Sequence, residues 1–183
     1  IPIPFRYENV GEGFAKGVDV FLKGRFWDGK YTGWISYSYT DSKRQQNENS
    51  IETSANYDIT HNIAIVSSYN ITRDLTAGVT LRLSTGRPYT PVVGSTYDPI
   101  NDVYIPTYGV ENSGRFPTYK RVDMNLQYIF SLLDRFAVAF VALNNVFDED
   151  NLYTYTYNFN YSQRIPVISL NERTIWFGVG MAF

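Results

Sequence analysis

Apolar and polar residues alternate with a period of two from Gly17 to the last residue, and helical periodicity is almost absent. In the first such stretch, Gly17 to Phe26, Val18, Val20, Leu22, Gly24 and Phe26 share one face, with Asp19, Phe21, Lys23 and Arg25 on the other. The pattern resumes at Tyr31 to Thr40 and again at Asn62 to Ile71. A fourth stretch sets Leu75, Ala77, Val79, Leu81 and Leu83 against Thr76, Gly78, Thr80, Arg82 and Ser84. Further strands are read at Arg121 to Tyr128, Phe136 to Phe147 and Thr174 to Phe183, about seven in all.

The apolar faces carry no Asp, Glu, Lys or Arg, whereas Asp19, Lys23, Arg25, Arg82, Arg121 and Asp123 all fall on the opposite faces. A water-soluble β-sandwich also shows one apolar and one polar face, so the two-faced strands do not decide by themselves. A lipid-facing wall explains the avoidance of charge, because Arg or Lys at the bilayer midplane costs roughly 2–4 kcal/mol. The strands are about ten residues long, the length a tilted strand needs to cross a bilayer. The connections alternate between tight turns (Trp27 to Lys30, Thr72 to Asp74, Ser131 to Arg135) and long polar stretches (Asp41 to Asn56, Thr85 to Thr118, Asp148 to Asn171). Within the last of these, Tyr153 to Tyr161 alternates like an extended hairpin arm. The Asp28-Gly29 pair suits the positive φ angles of a hairpin turn.

Of the 183 residues, 16 are Tyr and 12 are Phe. Many gather where strands end. Phe26, Trp27, Tyr31, Tyr128, Phe130, Phe136 and Phe183 lie near the short turns, and Tyr37, Tyr39, Tyr57, Tyr89, Tyr119 and Phe147 near the loops, as two interfacial girdles would. The mean hydropathy of −0.26 fits strands with one polar face. The longest apolar run, Phe136 to Leu143, is too short for a membrane-spanning helix.

Other classes are excluded by what the composition lacks. Without Cys, disulfides, thiolate metal sites and cysteine nucleophiles are absent, and one His cannot build a multi-histidine zinc site. The net charge of −2 gives no basic surface for nucleic acid. His61 beside Asp58 has no accompanying nucleophile motif, so it reads as a strand-end hydrogen-bonding residue rather than a catalytic base. The expectation is therefore no enzyme, no metal and no cofactor.

These motifs resemble a particular family. The segment Asn9 to Asp19 (NVGEGFAKGVD) resembles the loop-to-strand entry found late in TonB-dependent outer-membrane receptors. The segment Tyr57-Asp58-Ile59-Thr60-His61-Asn62 is similar to a strand start of that family. So are Ser84-Thr85-Gly86-Arg87-Pro88-Tyr89-Thr90-Pro91, Arg115 to Asp123 (RFPTYKRVD), and Asn145-Val146-Phe147-Asp148 with Asn151. The alternating end of the chain, Ile175, Phe177, Val179, Met181 and Phe183, resembles the family's outer-membrane assembly signal, which sets the short turns on the periplasmic side and the long loops outside.

The resemblance implies an all-β, antiparallel transmembrane barrel of about 22 strands plugged by an N-terminal globular domain. Residues 1–183 would supply about seven C-terminal strands, with the plug and the earlier strands outside this sequence. It further implies energised import of a scarce nutrient across the bacterial outer membrane: a ferric siderophore, cobalamin or a glycan. The implied partners are outer-membrane lipid and lipopolysaccharide, the protein's own plug, the TonB-ExbB-ExbD system, the barrel-assembly machinery and a small-molecule or glycan ligand. Arg87, Tyr89, Tyr97, Tyr104, Tyr108 and Arg115 are the candidate ligand contacts in the loops, where the tyrosines either stack on a ligand or pack the loops together. Asp19, Lys23, Arg25, Arg82, Arg121 and Asp123 would face the lumen, pairing with one another, holding the plug or lining a ligand path. The alternatives are a plug-less outer-membrane channel or porin, and a secreted carbohydrate-binding β-domain.

Overall fold

The computed structural model describes residues 10–182, so Asn9 and Phe183, each the end of a motif named above, lie outside the described residues. Fourteen strands follow one another: β1 (Glu12–Phe26), β2 (Tyr31–Gln45), β3 (Thr53–Ser54), β4 (His61–Asn70) and β5 (Leu75–Ser84) come first. Then come β6 (Pro88–Tyr89), β7 (Val92–Asp98), β8 (Val103–Tyr108), β9 (Gly114–Arg115) and β10 (Tyr119–Leu132). The chain ends with β11 (Arg135–Asn144), β12 (Leu152–Tyr157), β13 (Arg164–Ile168) and β14 (Thr174–Met181). One antiparallel sheet runs β1-β2-β4-β5-β10-β11-β14, with β3 paired to β2.

The register carries the alternation across every seam. Leu22 pairs with Ile35 and Ile35 with Ile65. Ile65 pairs with Leu81, Leu81 with Val122, and one step along the strands Met124 pairs with Leu143 and Leu143 with Ile175. Because directly paired residues project to the same side of a sheet, the apolar rows merge into one continuous face. Its outer rows are unusually bare for a protein surface: Phe177 is 82% exposed and Val179 69%. The other face carries Asp19, Lys23, Arg25, Arg82, Arg121 and Asp123, together with Ser, Thr and Asn and the rings of Phe21, Trp34, Phe140 and Trp176.

All three tight turns lie at one end of this wall. Trp27, Asp28 and Gly29 all have positive φ, so the left-handed stretch begins two residues before the glycine expected to host it. The third turn is narrower than the sequence suggests. Ser131 remains in the ladder opposite Phe136, and only Leu133 (φ 53°) and Asp134 (φ 57°) turn, the paired left-handed geometry of a two-residue hairpin. Thr72 Oγ1 accepts the Asp74 and Leu75 amides and closes the second turn.

Several boundaries differ from expectation. Asp41 to Gln45, read as loop, continue β2 opposite Glu12 to Lys16, five residue pairs above the last β2–β4 pair, Tyr39 with His61. Lys16 pairs with Asp41 at 3.3 Å and Lys43 with Glu52 at 3.2 Å there. A strand wet on both faces has no apolar row to advertise it. The stretch 85–118 contains the β7–β8 hairpin rather than a plain loop. The sixth strand stops at Asn144, not Phe147, because Asn145 and Asp148 take positive φ. The tyrosine arm ends at Tyr157 and returns as β13.

The girdles also need correction. Phe136 pairs with Ser131 and Tyr119 with Ser84, so both belong to the polar face. Near the turns, Tyr31 holds Phe26 at 5.9 Å and Trp27 at 5.5 Å, Trp27 meets Tyr69 at 6.3 Å, and Tyr128 stacks on Phe130 at 5.8 Å. At the other rim, Tyr37 and Tyr39 close on His61, whose Nδ1 bonds the Tyr37 hydroxyl at 2.9 Å.

Candidate functional site

The residues that close off β4, β5 and the start of β10 meet at the loop end of the wall. Arg115, on the two-residue strand β9, donates to the Asp58 carboxylate at 2.6 Å, to the Asp58 carbonyl at 2.8 Å and to the Gly86 carbonyl at 3.0 Å. Asp58 is only 3% exposed and also accepts the Ser42 amide. Buried carboxylates persist where a cation and hydrogen bonds compensate them. Thr85 and His61 exchange backbone and hydroxyl bonds beside this pair, and the Phe116 amide donates to the Arg87 carbonyl. Asp58 and His61, adjacent in the sequence motif, thus serve different partners and form no acid–base pair.

A second lock holds the far loop. Asn145, 1% exposed, bonds the Glu149 amide and carbonyl and the Asn171 carbonyl, while its own amide donates to Asp123. Asn151 pairs both ways with the Lys120 backbone at 2.8 Å. Asp123 also accepts from Arg121 at 2.7 Å and Arg82 at 3.0 Å, which ties the polar face of β5 and β10 to the loop base. Among the lumen candidates these three therefore pair with one another.

Above the two locks, Tyr89 lies 4.6 Å from Phe116 and 5.2 Å from Tyr155, with Phe116 stacked on Tyr155 at 5.3 Å. Arginines flank this trio. Arg164 donates to the Tyr89 hydroxyl at 2.6 Å and lies 4.1 Å over the Tyr155 ring. Arg87 lies over Phe116 and Tyr153 and donates to the Tyr153 carbonyl at 3.1 Å. Each cation–π contact of this kind contributes about 0.5–2 kcal/mol.

Tyr97 and Tyr104 sit apart, on the β7–β8 hairpin, 5.1 Å from each other, with Tyr104 meeting Phe159 of the third loop at 5.8 Å. The Tyr97 hydroxyl donates to Asp102, which raises its pKa, and at the hairpin tip the Asn101 amide and the Ile100 N–H hold Asp98 below the usual carboxylate range. Tyr108, 62% exposed, pairs with Val92 at the base of the same hairpin. The six loop candidates are thus divided: Arg87 and Tyr89 share the aromatic cluster, Tyr97, Tyr104 and Tyr108 lie on the hairpin, and Arg115 is committed to Asp58. Sequence reading missed Phe116, Tyr155 and Arg164 as members of one cluster, because they lie on two loops far apart in the chain.

All three long loops border one cleft of about 370 Å³, lined by Asn56 and Tyr57 of the first, Arg87, Tyr89, Glu111 and Asn112 of the second, and Thr154 of the third, among others. Glu111 is bonded to Arg44 and Gln46, and Asn112 reaches the Ser54 carbonyl and Asn56 Oδ1, each at 2.7 Å. These bonds join the first loop to the second. No cluster of His, Cys, Asp or Glu fit to hold a metal ion occurs among the described residues.

Residues 1–146 match the model of the family described as TonB dependent receptor-like, beta-barrel. The chain belongs to the TonB-dependent receptor β-barrel family. The match covers β1 to β11 of the wall together with the motifs carrying Asp58, Gly86 and Arg115. No curated protein and no solved structure shows a significant match. TonB-dependent receptors are outer-membrane import proteins, which agrees with a wall whose strands share an apolar face across their middle rows.

Proposed function

We propose that this TonB-dependent receptor chain forms barrel wall and ligand-facing extracellular loops of an importer for a scarce nutrient, a ferric siderophore, cobalamin or a glycan, energised through TonB with ExbB and ExbD. The observation that carries this reading is the polarity of the wall: three tight turns at one end, and at the other three long loops that converge on a single cleft.

In this reading the apolar face meets outer-membrane lipid and lipopolysaccharide, and Asp19, Lys23, Arg25, Arg82, Arg121 and Asp123 face the lumen, where the protein's own plug sits. Strands β1 and β14 end the sheet among the described residues. Unpaired edges cannot rest in hydrocarbon, so in this reading further strands close the wall, and the family resemblance implies a barrel of about 22. The row Ile175, Phe177, Val179 and Met181, continued by Phe183, is what the barrel-assembly machinery would engage.

The test is uptake by cells that depend on the full-length receptor, supplied with radiolabelled ferric siderophores, cobalamin and oligosaccharides. Uptake of one of these is expected, lost when the proton gradient is collapsed and lost when residues 94–107 are replaced by a short turn. Uptake indifferent to the proton gradient would overturn the reading in favour of a passive channel.

A further inference from the structure

The apolar face of the wall is not level. Near its short-turn end Gly24 of β1 and Gly33 of β2 pair directly, and among the described residues no other two glycines of the wall do. Two bare backbones side by side sink the surface into a notch of about 220 Å³. Leu22, Ile35 and Ile65 border it toward the middle of the wall, and Phe26 and Tyr31 border it toward the turn. Lys23, Trp34 and Val66 contribute its floor, since register turns their side chains to the other face. The glycines are required there: a Cβ on Gly24 would run into the Phe26 ring, and one on Gly33 would lie 2.9 Å from the Val66 carbonyl. Resting on the outer-membrane reading above, we propose that this notch holds one acyl chain of a phospholipid of the periplasmic leaflet.

Chemistry, depth and shape choose that occupant. Among the described residues bordering the notch on the apolar face, Tyr31 alone brings a polar side-chain atom, and the backbone beneath is engaged in the β1–β2 and β2–β4 ladders. A ligand with hydrogen-bonding groups would leave them bare there, whereas hydrocarbon has none to satisfy. Depth is set by the girdle: Tyr31 meets Trp27 at 5.5 Å and Trp27 meets Tyr69 at 6.3 Å, which marks the headgroup level, and the notch opens on the next rows inward. With the short turns on the periplasmic side, that leaflet is phospholipid rather than lipopolysaccharide. Shape excludes a second copy of the chain, because a two-fold axis would set one concavity against the other and fill neither. Lipid tails are as apolar as the wall, so the chain seated here differs from its neighbours only in the number of atoms it touches, on two sides and a floor instead of one flat row.

The experiment places the full-length receptor in vesicles of phosphatidylethanolamine and phosphatidylglycerol with a trace of phosphatidylethanolamine that carries a diazirine in the upper third of one acyl chain. After irradiation, peptide mass spectrometry locates the label. Leu22 and Ile35 lie as many residues above the first turn as Tyr128 and Ala139 lie above the third, so the second pair serves as the reference for an ordinary apolar seam. Labelling of residues 22–35 is expected to exceed that of residues 128–139 about threefold, the return of a few extra van der Waals contacts. Ile35→Trp and Leu22→Trp, each a larger side chain at the mouth of the notch, should bring the two segments level, whereas Val179→Trp on the far edge should leave the excess in place. A heat-modifiable gel band confirms that each variant is folded. Equal labelling of the two segments in the native receptor, or an excess that both notch variants retain, overturns the proposal while the membrane wall stands. Label missing from every apolar row removes the outer-membrane reading as well.

Discussion

Arg115 shows how one side chain can hold three separate loop-base segments. Its guanidinium reaches the Asp58 carboxylate, the Asp58 carbonyl and the Gly86 carbonyl, and a Cβ at Gly86 would run into the Phe116 carbonyl, so the neighbouring backbone is as closely set as the ion pair. Removing Arg115 leaves a carboxylate that is 3% exposed without its cation. Because the arginine is itself partly exposed, solvent tempers the loss, and about 1–3 kcal/mol of local stability is at stake. Arg115→Ala is therefore expected to speed proteolytic cleavage within residues 85–118 of the membrane-embedded receptor while the barrel keeps its heat-modifiable mobility. Arg115→Lys should rescue only part of this, since a single ammonium cannot span three acceptors. Equal cleavage rates in all three proteins would show that the pair is not what holds the loop.

At the level of elements, what could be read in the sequence depended on where lipid imposes a pattern. Strand β5 has the expected limits, Leu75–Ser84, because each residue there faces either hydrocarbon or the polar side. Above the bilayer that constraint lapses. Asp41 to Gln45 extend β2 with polar residues on both faces, and the β7–β8 hairpin carries a bulge between Val92 and Gly94 that breaks its register. The cluster of Tyr89, Phe116 and Tyr155 was illegible for a related reason: its members are brought together by the Arg115 and Asn151 locks, long-range bonds that leave no local periodicity. Turns have their own logic, and the third uses poor residues for it. Leu133 takes φ 53°, a left-handed conformation that costs an ordinary side chain roughly 1–2 kcal/mol. Replacing Leu133-Asp134 by Asn-Gly should raise stability by about 1 kcal/mol, read as a higher urea midpoint for the receptor in lipid vesicles, with an unchanged slope. A lower midpoint would mean that the exposed Leu133 makes contacts in the full barrel that outweigh its backbone strain.

Across the whole molecule the deciding property is that seven strands present one face free of charge over the middle of the wall, the charged residues of that side (Glu12, Lys16, Asp41, Lys43, Lys120 and Arg135) falling at its two rims, and this follows from register as much as from composition. A slip of one residue at any seam would turn every side chain beyond it to the wrong side. The two faces should therefore answer differently to the same substitution at neighbouring positions. Val79 lies on the apolar face between Ser67 and Met124, and Thr80 lies on the other between Val66 and Asp123. Val79→Arg places a guanidinium in lipid near the middle of the strand, a cost of roughly 2–4 kcal/mol. Thr80→Arg places it opposite the Asp123 carboxylate, and its cost should stay within about 1 kcal/mol, as for an ordinary water-exposed change. Urea unfolding of the two variants in vesicles separates the outcomes directly. Comparable losses at the two positions would mean that the apolar face does not meet lipid, because in water a charge on an exposed sheet is tolerated on either side.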